Sequence, residues 1–207
     1  MHTPRFTTRT AGPDDLAIVL ELSLEAFVDE AVLAWAMPDP ADREAHMRKS
    51  FSASLAAAIG IGAVLLAFDR DGTAVAVSIW VPRDGAGQEA GAEEEAGADE
   101  WTDDPVQRRL AIVEAATEAR VPDQAHLHLS AMATRPQSRG LGAGTVLLDA
   151  GLDHARSRGL PLYLEASDDD NRRLYARRGF RDLGDGIVLP EQGPVLQPMW
   201  REHDGVR

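Results

Sequence analysis

The feature that most constrains this chain is a glycine-rich turn, Arg139-Gly140-Leu141-Gly142-Ala143-Gly144, set between a strand-like run and a helix-like run and preceded by Thr134-Arg135-Pro136-Gln137-Ser138. A turn of this kind aims exposed main-chain N–H groups and the positive end of a helix at one point, which makes an anion site. Glycine lets a phosphate approach the backbone closely. Two phosphate-binding designs do not fit. A P-loop needs a Lys-Ser or Lys-Thr pair after its last glycine, whereas Gly144 is followed by Thr145-Val146. A dinucleotide fingerprint puts its first glycine at the end of an early strand, whereas here Pro136 and several other residues intervene and helices precede the unit.

Around this turn the periodicity is readable. His126 to Thr134 is strand-like, and after the turn Leu147, Leu148, Gly151, Leu152 and Ala155 line one helix face that Gly159 closes. Leu162 to Ser167 is the next strand, with Tyr163, Glu165 and Ser167 on one side and Leu162, Leu164 and Ala166 on the other. Asp168 or Asp169 suits the cap of a short helix over Asn171 to Arg178, and Gly179-Phe180 ends it. Upstream, a strand over Phe6 to Arg9 precedes a helix that begins at Pro13-Asp14-Asp15 and runs to about Phe27, and a second helix spans Ala41 to Ile59. Ala63 to Phe68 and Ala74 to Val81 read as a hairpin around Asp69-Arg70-Asp71-Gly72, stopped by Pro82. A helix over Asp104 to Arg120 and strands over Arg181 to Leu189 and Val195 to Arg201 complete the pattern. There is no internal repeat.

A chain of 207 residues can bury one core without disulfides or metal, so a single domain over 1–207 is expected. The absence of cysteine excludes disulfides, thiolate metal sites and a cysteine nucleophile. The net charge of −13 argues against nucleic acid as a partner. More than half of it comes from Arg83 to Asp104, where nine acidic residues face one basic residue. The Gly/Ala/Glu-rich stretch at about 84–103 lacks the large apolar side chains needed to offset ordering and reads as a mobile insert. No apolar run reaches the length of a membrane span, and the N-terminus carries no secretory pattern, so no membrane partner and a cytoplasmic location are expected.

The turn resembles the acetyl-CoA signature of the GNAT superfamily of N-acetyltransferases, an Arg or Gln, two residues, Gly, one residue, then Gly or Ala. A second family signature, aromatic Leu-Tyr followed by Gly-Phe, is matched by Leu174-Tyr175-Ala176-Arg177-Arg178-Gly179-Phe180. Two signatures in order, separated by a helix and a strand, are far more specific than either alone. The clear resemblance runs from Gln124 to Arg201. More loosely, Ala74 to Pro82, Tyr163 to Ser167 and Asn171 to Phe180 look like the puromycin N-acetyltransferase-like branch. The resemblance implies an α/β (α+β) fold with a mixed, mostly antiparallel sheet of about six or seven strands, splayed at its centre and flanked by helices.

It also implies acetyl-CoA as co-substrate, no metal, and direct attack by a small-molecule amine in a ternary complex. Main-chain groups of Met132, Ala133 and Thr134 would hold pantetheine, with the Met132 N–H facing the oxyanion. Arg139, Gly140, Leu141, Gly142, Ala143, Gly144 and Thr145 would hold the pyrophosphate. Tyr175 is the candidate acid for the departing sulfur, since a phenol is protonated at neutral pH and close in pKa to a thiol. Glu165 is the first candidate base, acting through a water, and His128 the second. The family's pantetheine-binding asparagine, seven residues before the tyrosine, is Asp168 here, so Asn171 either takes over that contact or caps its helix.

Competing readings remain. Glu165 could pair with Arg172 or Arg173. His126 and His128 alternate on one strand face, but no third metal ligand of matching spacing follows. Phe27, Trp35 and Trp80 suit a core, although in the puromycin-like branch the region from Phe27 to Pro40 covers the acceptor, where Asp29 and Glu30 would attract an ammonium group. A non-catalytic acyl-CoA sensor and a protein N-terminal or lysine acetyltransferase are the alternative functions. The chain could be a monomer or a homodimer joined through its last strands.

Overall fold

The computed structural model describes residues 4–85 and 104–203, so the expected insert lies outside the described residues from position 86 to 103. The chain runs β1 (Thr7–Thr10), a 3-10 turn, α1 (Leu16–Phe27), α2 (Ala31–Ala36), α3 (Pro40–Gly60), β2 (Val64–Phe68), β3 (Ala74–Arg83) and α4 (Pro105–Glu118). It continues through β4 (His126–Thr134), α5 (Ala143–Arg158), β5 (Leu162–Ala166), α6 (Asp169–Ala176), β6 (Arg181–Asp182), β7 (Ile187–Val188) and β8 (Val195–Arg201). The sheet has the order β1-β2-β3-β4-β5-β8-β6, with β7 also on β8. Every pairing is antiparallel except β4 with β5.

Alternation along the strands sorts side chains to two faces. Leu127, Leu129, Leu162, Leu164 and Met199 meet Leu147, Leu148, Leu152 and Ala155 of α5 in one cluster. On the other face Val64, Leu66, Val77 and Ala133 meet Val19 and Leu22 of α1 and Leu55 and Ile59 of α3. A third cluster joins Ile187, Leu189 and Leu196 to Val32 and Trp35 of α2 and Ile112 of α4. The glycine in the middle of α5 has a packing reason. A Cβ at Gly151 would lie 2.0 Å from Trp80 Cζ2, and the Trp80 indole, almost fully buried, donates to Ser78 Oγ at 2.9 Å.

Three expectations need correction. Pro82 does not end β3, which continues to Arg83 opposite His126. Register with β2 stops at Ile79, and the last bond on that side is Trp80 N–H to Ala63 C=O at 2.7 Å, so beyond it β3 has one neighbour among the described residues and a missing N–H is tolerated. The strand expected over Arg181 to Leu189 is two short pieces, which brings the sheet to eight strands. Gly184, at φ 70°, turns the chain between them. Finally, α2 was not foreseen; Glu30 caps it by accepting from Val32 N–H (2.8 Å) and Leu33 N–H (3.2 Å).

Candidate active site

The turn after β4 is built to leave its amides open. Ser138 N–H donates to Arg135 C=O and Arg139 N–H to Pro136 C=O; the next main-chain bond is Val146 N–H to Gly142 C=O at 3.1 Å. Between them, the N–H groups of residues 140–145 have no acceptor among the described residues. Gly140 and Gly142 sit at φ 69° and 100°, and nothing lies within 4 Å of a Cβ at either. Glycine is therefore required there by backbone conformation, and the outer side of the turn stays open. These groups, with the N-terminus of the 16-residue α5, can hold a diphosphate.

The sheet opens beside this turn. β4 pairs with β5 only at Leu127↔Leu162 and His128↔Tyr163. On its other side β4 follows β3 to Thr134, with a register shift at Ile79/Trp80 that leaves Ser130 as the extra residue of a bulge. Arg135 N–H donates to Val75 C=O of the β3 side at 2.9 Å. By the two-residue alternation of strand groups, the main-chain groups of Met132 and Thr134 point the other way, into the gap between β4 and β5. Arg139 Nε donates to Thr134 C=O at 3.2 Å and ties the turn to the gap. Ala133 faces the α1/α3 core. The opened strands thus offer main-chain donors and acceptors to an extended chain bearing amides.

At the closed end of the gap, on the face away from α5, the residues are polar. His128 Nε2 and Glu165 Oε2 are 2.9 Å apart, with side chains only 10% and 13% exposed. The anticipated Glu165 pairing with arginine is not found: Arg172 pairs with Asp182 and Arg173 with Asp170. The Tyr163 ring packs 5.1 Å from His128 and 5.6 Å from His126, and Trp200 borders His126 at 5.7 Å. Burial and the neighbouring Glu165 charge push the Tyr163 hydroxyl above its ordinary pKa. Burial lowers that of His126. His126 Nδ1 lies 2.7 Å from Gln124 C=O, which fixes the proton on that nitrogen. Among the described residues no group of three or more acidic or histidine side chains is arranged to hold a metal ion.

Tyr175 is buried in the α5-side core, 5.9 Å from Phe180. Burial first, and the Asp168 charge second, push its hydroxyl above the ordinary phenol value, so it is not the close match to a free thiol that sequence suggested. Asp168 is the N-cap of α6: Oδ1 accepts Asn171 N–H at 2.7 Å, and Asn171 Nδ2 donates to Asp168 Oδ2 at 2.9 Å and Ser167 Oγ at 3.3 Å. Asn171 therefore has its donors committed to the cap and keeps only its carbonyl oxygen for another contact.

The expected acceptor-side residues separate. Phe27 packs at the end of α1 against the α1/α3 core. Trp35 is wedged between Arg109, whose guanidinium lies 5.4 Å over its ring, and Gly193, where a Cβ would come within 3.0 Å of it. The Asp29 carboxylate is 86% exposed. Its neighbour Glu30 is half-buried, and burial raises its pKa against the pull of its α2 amides, the Asp168 charge adding least. Trp80 is not with them, since it faces α5 on the opposite side of the sheet from His128.

Among the described residues no helix is long and apolar enough to cross a membrane. Comparison with solved structures finds the same fold in the histone acetyltransferase HPA2 and related acetyltransferase of Corynebacterium glutamicum, 23% identical, covering 98% of this chain and 99% of that one at a TM-score of 0.63. A polyamine N-acetyltransferase of Drosophila melanogaster, which forms N-acetylagmatine, is 20% identical over 95% of this chain and 99% of that one, at 0.66. The PaiA N-acetyltransferase of Thermoplasma acidophilum, solved with coenzyme A, is 13% identical over 96% and 99%, at 0.60. No curated protein matches the sequence. The description "Acetyltransferase (GNAT) family" matches residues 21–180, most of the length and both signatures, and the chain belongs to that family.

Proposed function

We propose that this enzyme transfers the acetyl group of acetyl-CoA to the primary amine of a small molecule, which attacks directly while both are bound. The observation that carries the proposal is the continuity of open amides at 140–145 with the β4/β5 gap, which closes on the His128–Glu165 pair. Acetyl-CoA supplies the acyl carbon already activated as a thioester.

The amides of Gly140 to Thr145 bind the diphosphate, and the main-chain groups of Met132 and Thr134 bind the pantetheine amides in the gap. The Met132 N–H faces the carbonyl oxygen and stabilises the negative charge that develops there. An amine attacks only when neutral, so the site must take its proton. Glu165 and His128 do this as one unit. With Glu165 ionised, His128 donates Nε2–H to it and keeps the Nδ1 lone pair for the ammonium proton, so His128 becomes the base and Glu165 its orienting group. Tyr175 returns a proton to sulfur; the dry surroundings that raise the phenol raise a thiol as well, which keeps the transfer within reach.

Glu30 and Asp168 favour a cationic acceptor on the amine side. The fold occurs both in the Drosophila polyamine enzyme, which forms N-acetylagmatine, and in the Corynebacterium histone acetyltransferase, so the choice of acceptor falls to the residues of the site. The test is thiol release from acetyl-CoA across a panel of polyamines, arylalkylamines, puromycin-like amines and peptides with free N-termini. The expected result is turnover on a small cationic amine and at most trace turnover on peptides. Preference for peptides would replace the small-molecule reading, and binding of CoA without turnover on any amine would replace catalysis with sensing.

A further inference from the structure

The polar face of β4 and β5 buries more hydrogen-bonding groups than the chemistry above uses. His126, His128 and Tyr163 are buried, and their rings lie within 6.3 Å of one another, Tyr163 being 5.1 Å from His128 and 5.6 Å from His126. Glu165 joins them through the 2.9 Å contact of its Oε2 with His128 Nε2. Three atoms of this cluster are shut away from solvent with no hydrogen-bond partner among the described residues: Tyr163 Oη, His126 Nε2 and Glu165 Oε1. Leaving a buried polar atom unbonded is costly, most of all a carboxylate oxygen.

The role of each atom is fixed. Burial first, and the Glu165 charge next, raise the Tyr163 hydroxyl, so it stays protonated and has one proton to donate. The His126 Nδ1 proton goes to Gln124 C=O at 2.7 Å and burial keeps the ring neutral, which leaves Nε2 an acceptor. Glu165 Oε1 is the second acceptor. One donor and two acceptors are the complement of a single water, which accepts one bond and donates two. Tyr163 and Glu165, two residues apart on β5, project from the same face, and the His126 ring borders Tyr163 from β4. We propose that Tyr163 is a positioning residue for the base: through one buried water shared with His126 Nε2, its hydroxyl holds Glu165 Oε1 and so keeps Oε2 on His128. It touches neither substrate. The inference rests on the reading of His128 and Glu165 as the base of acetyl transfer.

The other charges near the cluster are Arg83 of β3, opposite His126, and Glu118 and Arg120 at the end of α4. Arg83 reaches Glu118 at 3.4 Å. Tyr163→Phe keeps all of these and the ring, and removes only the hydroxyl. A bond to a charged group is worth about one pH unit of proton affinity. Without it the Glu165–His128 pair holds a proton to higher pH, so the acid limb of the kcat profile is expected to move up by about one unit. On the acid side of the limb kcat then falls about tenfold, on the plateau it returns to within about twofold of wild type, and KM for acetyl-CoA stays within about twofold throughout. A crystal structure of the wild type should show solvent density within hydrogen-bond reach of all three atoms.

An acid limb that stays in place, or a kcat lowered by one factor at every pH, would overturn the inference while leaving the transfer reading intact. A direct Tyr163–Glu165 bond in the crystal, or three atoms too far apart to share one water, overturns it as well, and the crystal decides if Tyr163→Phe does not fold. If wild type turns over no amine, the transfer reading fails and this inference with it.

Discussion

The same strands present two unlike faces, and the contrast explains how this fold carries a site. On the α5 side of β4 and β5 stand Leu127, Leu129, Leu162 and Leu164, packed with Leu147, Leu148 and Leu152. One residue out of phase, on the other side, stand His126, His128 and Tyr163, also buried but polar, with Glu165 half-buried beside them. Apolar burial on one face holds the strands where the β4/β5 gap must open, and that support is what allows buried polar groups on the other. Substitutions on the two faces should therefore fail differently: those on the α5 face in stability, those on the polar face in turnover.

The largest expected effect is on turnover. His128→Ala should lower kcat about a hundredfold to ten-thousandfold with little change in melting temperature. Tyr175→Phe should lower kcat within the same range but leave CoA affinity unchanged, as stopped-flow thiol release and calorimetry would report. A normal kcat in His128→Ala would move the base elsewhere. Next comes the packing face. Leu148→Ala should cost about 2–5 kcal/mol of stability, and Gly151→Ala, by forcing Trp80 to move, about 1–3 kcal/mol. Denaturant melts measure both, with kcat retained in whatever fraction stays folded.

A smaller effect sharpens the contrast through pH. Because burial lowers the His126 pKa below its ordinary 6.5, the unfolded chain takes up that proton first as pH falls. Stability should therefore drop as pH falls through 6.5 and level off below the folded value. His126→Asn should flatten that part of a melting-temperature profile; an unchanged profile would mean that His126 is not buried neutral. The smallest effect lies away from both faces. Asp15, paired with Arg9 at 2.6 Å, has its pKa lowered to about 2. Its contribution should be present above 3.8 and lost as pH falls through about 2, with Arg9→Ala costing under about 1 kcal/mol at neutral pH.

How far the sequence was legible follows from the range of the forces involved. The strand His126–Thr134, the α5 stripe with its Gly159 stop, and the alternation of Tyr163 and Glu165 against Leu162 and Leu164 were readable because each depends on local period and local caps. The glycine turn was readable because positive φ selects residue type. Four features were not. α2 is held by tertiary contacts at its ends, and six residues give no period. Arg43 in a helix reads as a solvated charge until its bonds to the carbonyls of Val28, Met37 and Pro38 are known. Pro82 sits in a strand because register with β2 stops at Ile79, a matter of strand lengths far apart in sequence. The direct bond between His128 and Glu165, 37 residues apart, depends on the parallel register of β4 and β5. A hint existed, since both sit on strands at positions of opposite phase to the leucines.

The proposed chemistry depends on the open amides of 140–145 receiving a diphosphate. The most direct test is calorimetry of the folded protein with CoA and, separately, with pantetheine, which lacks the diphosphate. CoA is expected to bind at least about a hundredfold tighter than pantetheine, a difference of about 2.7 kcal/mol or more. Equal affinity for the two, or no heat with either, would contradict the account.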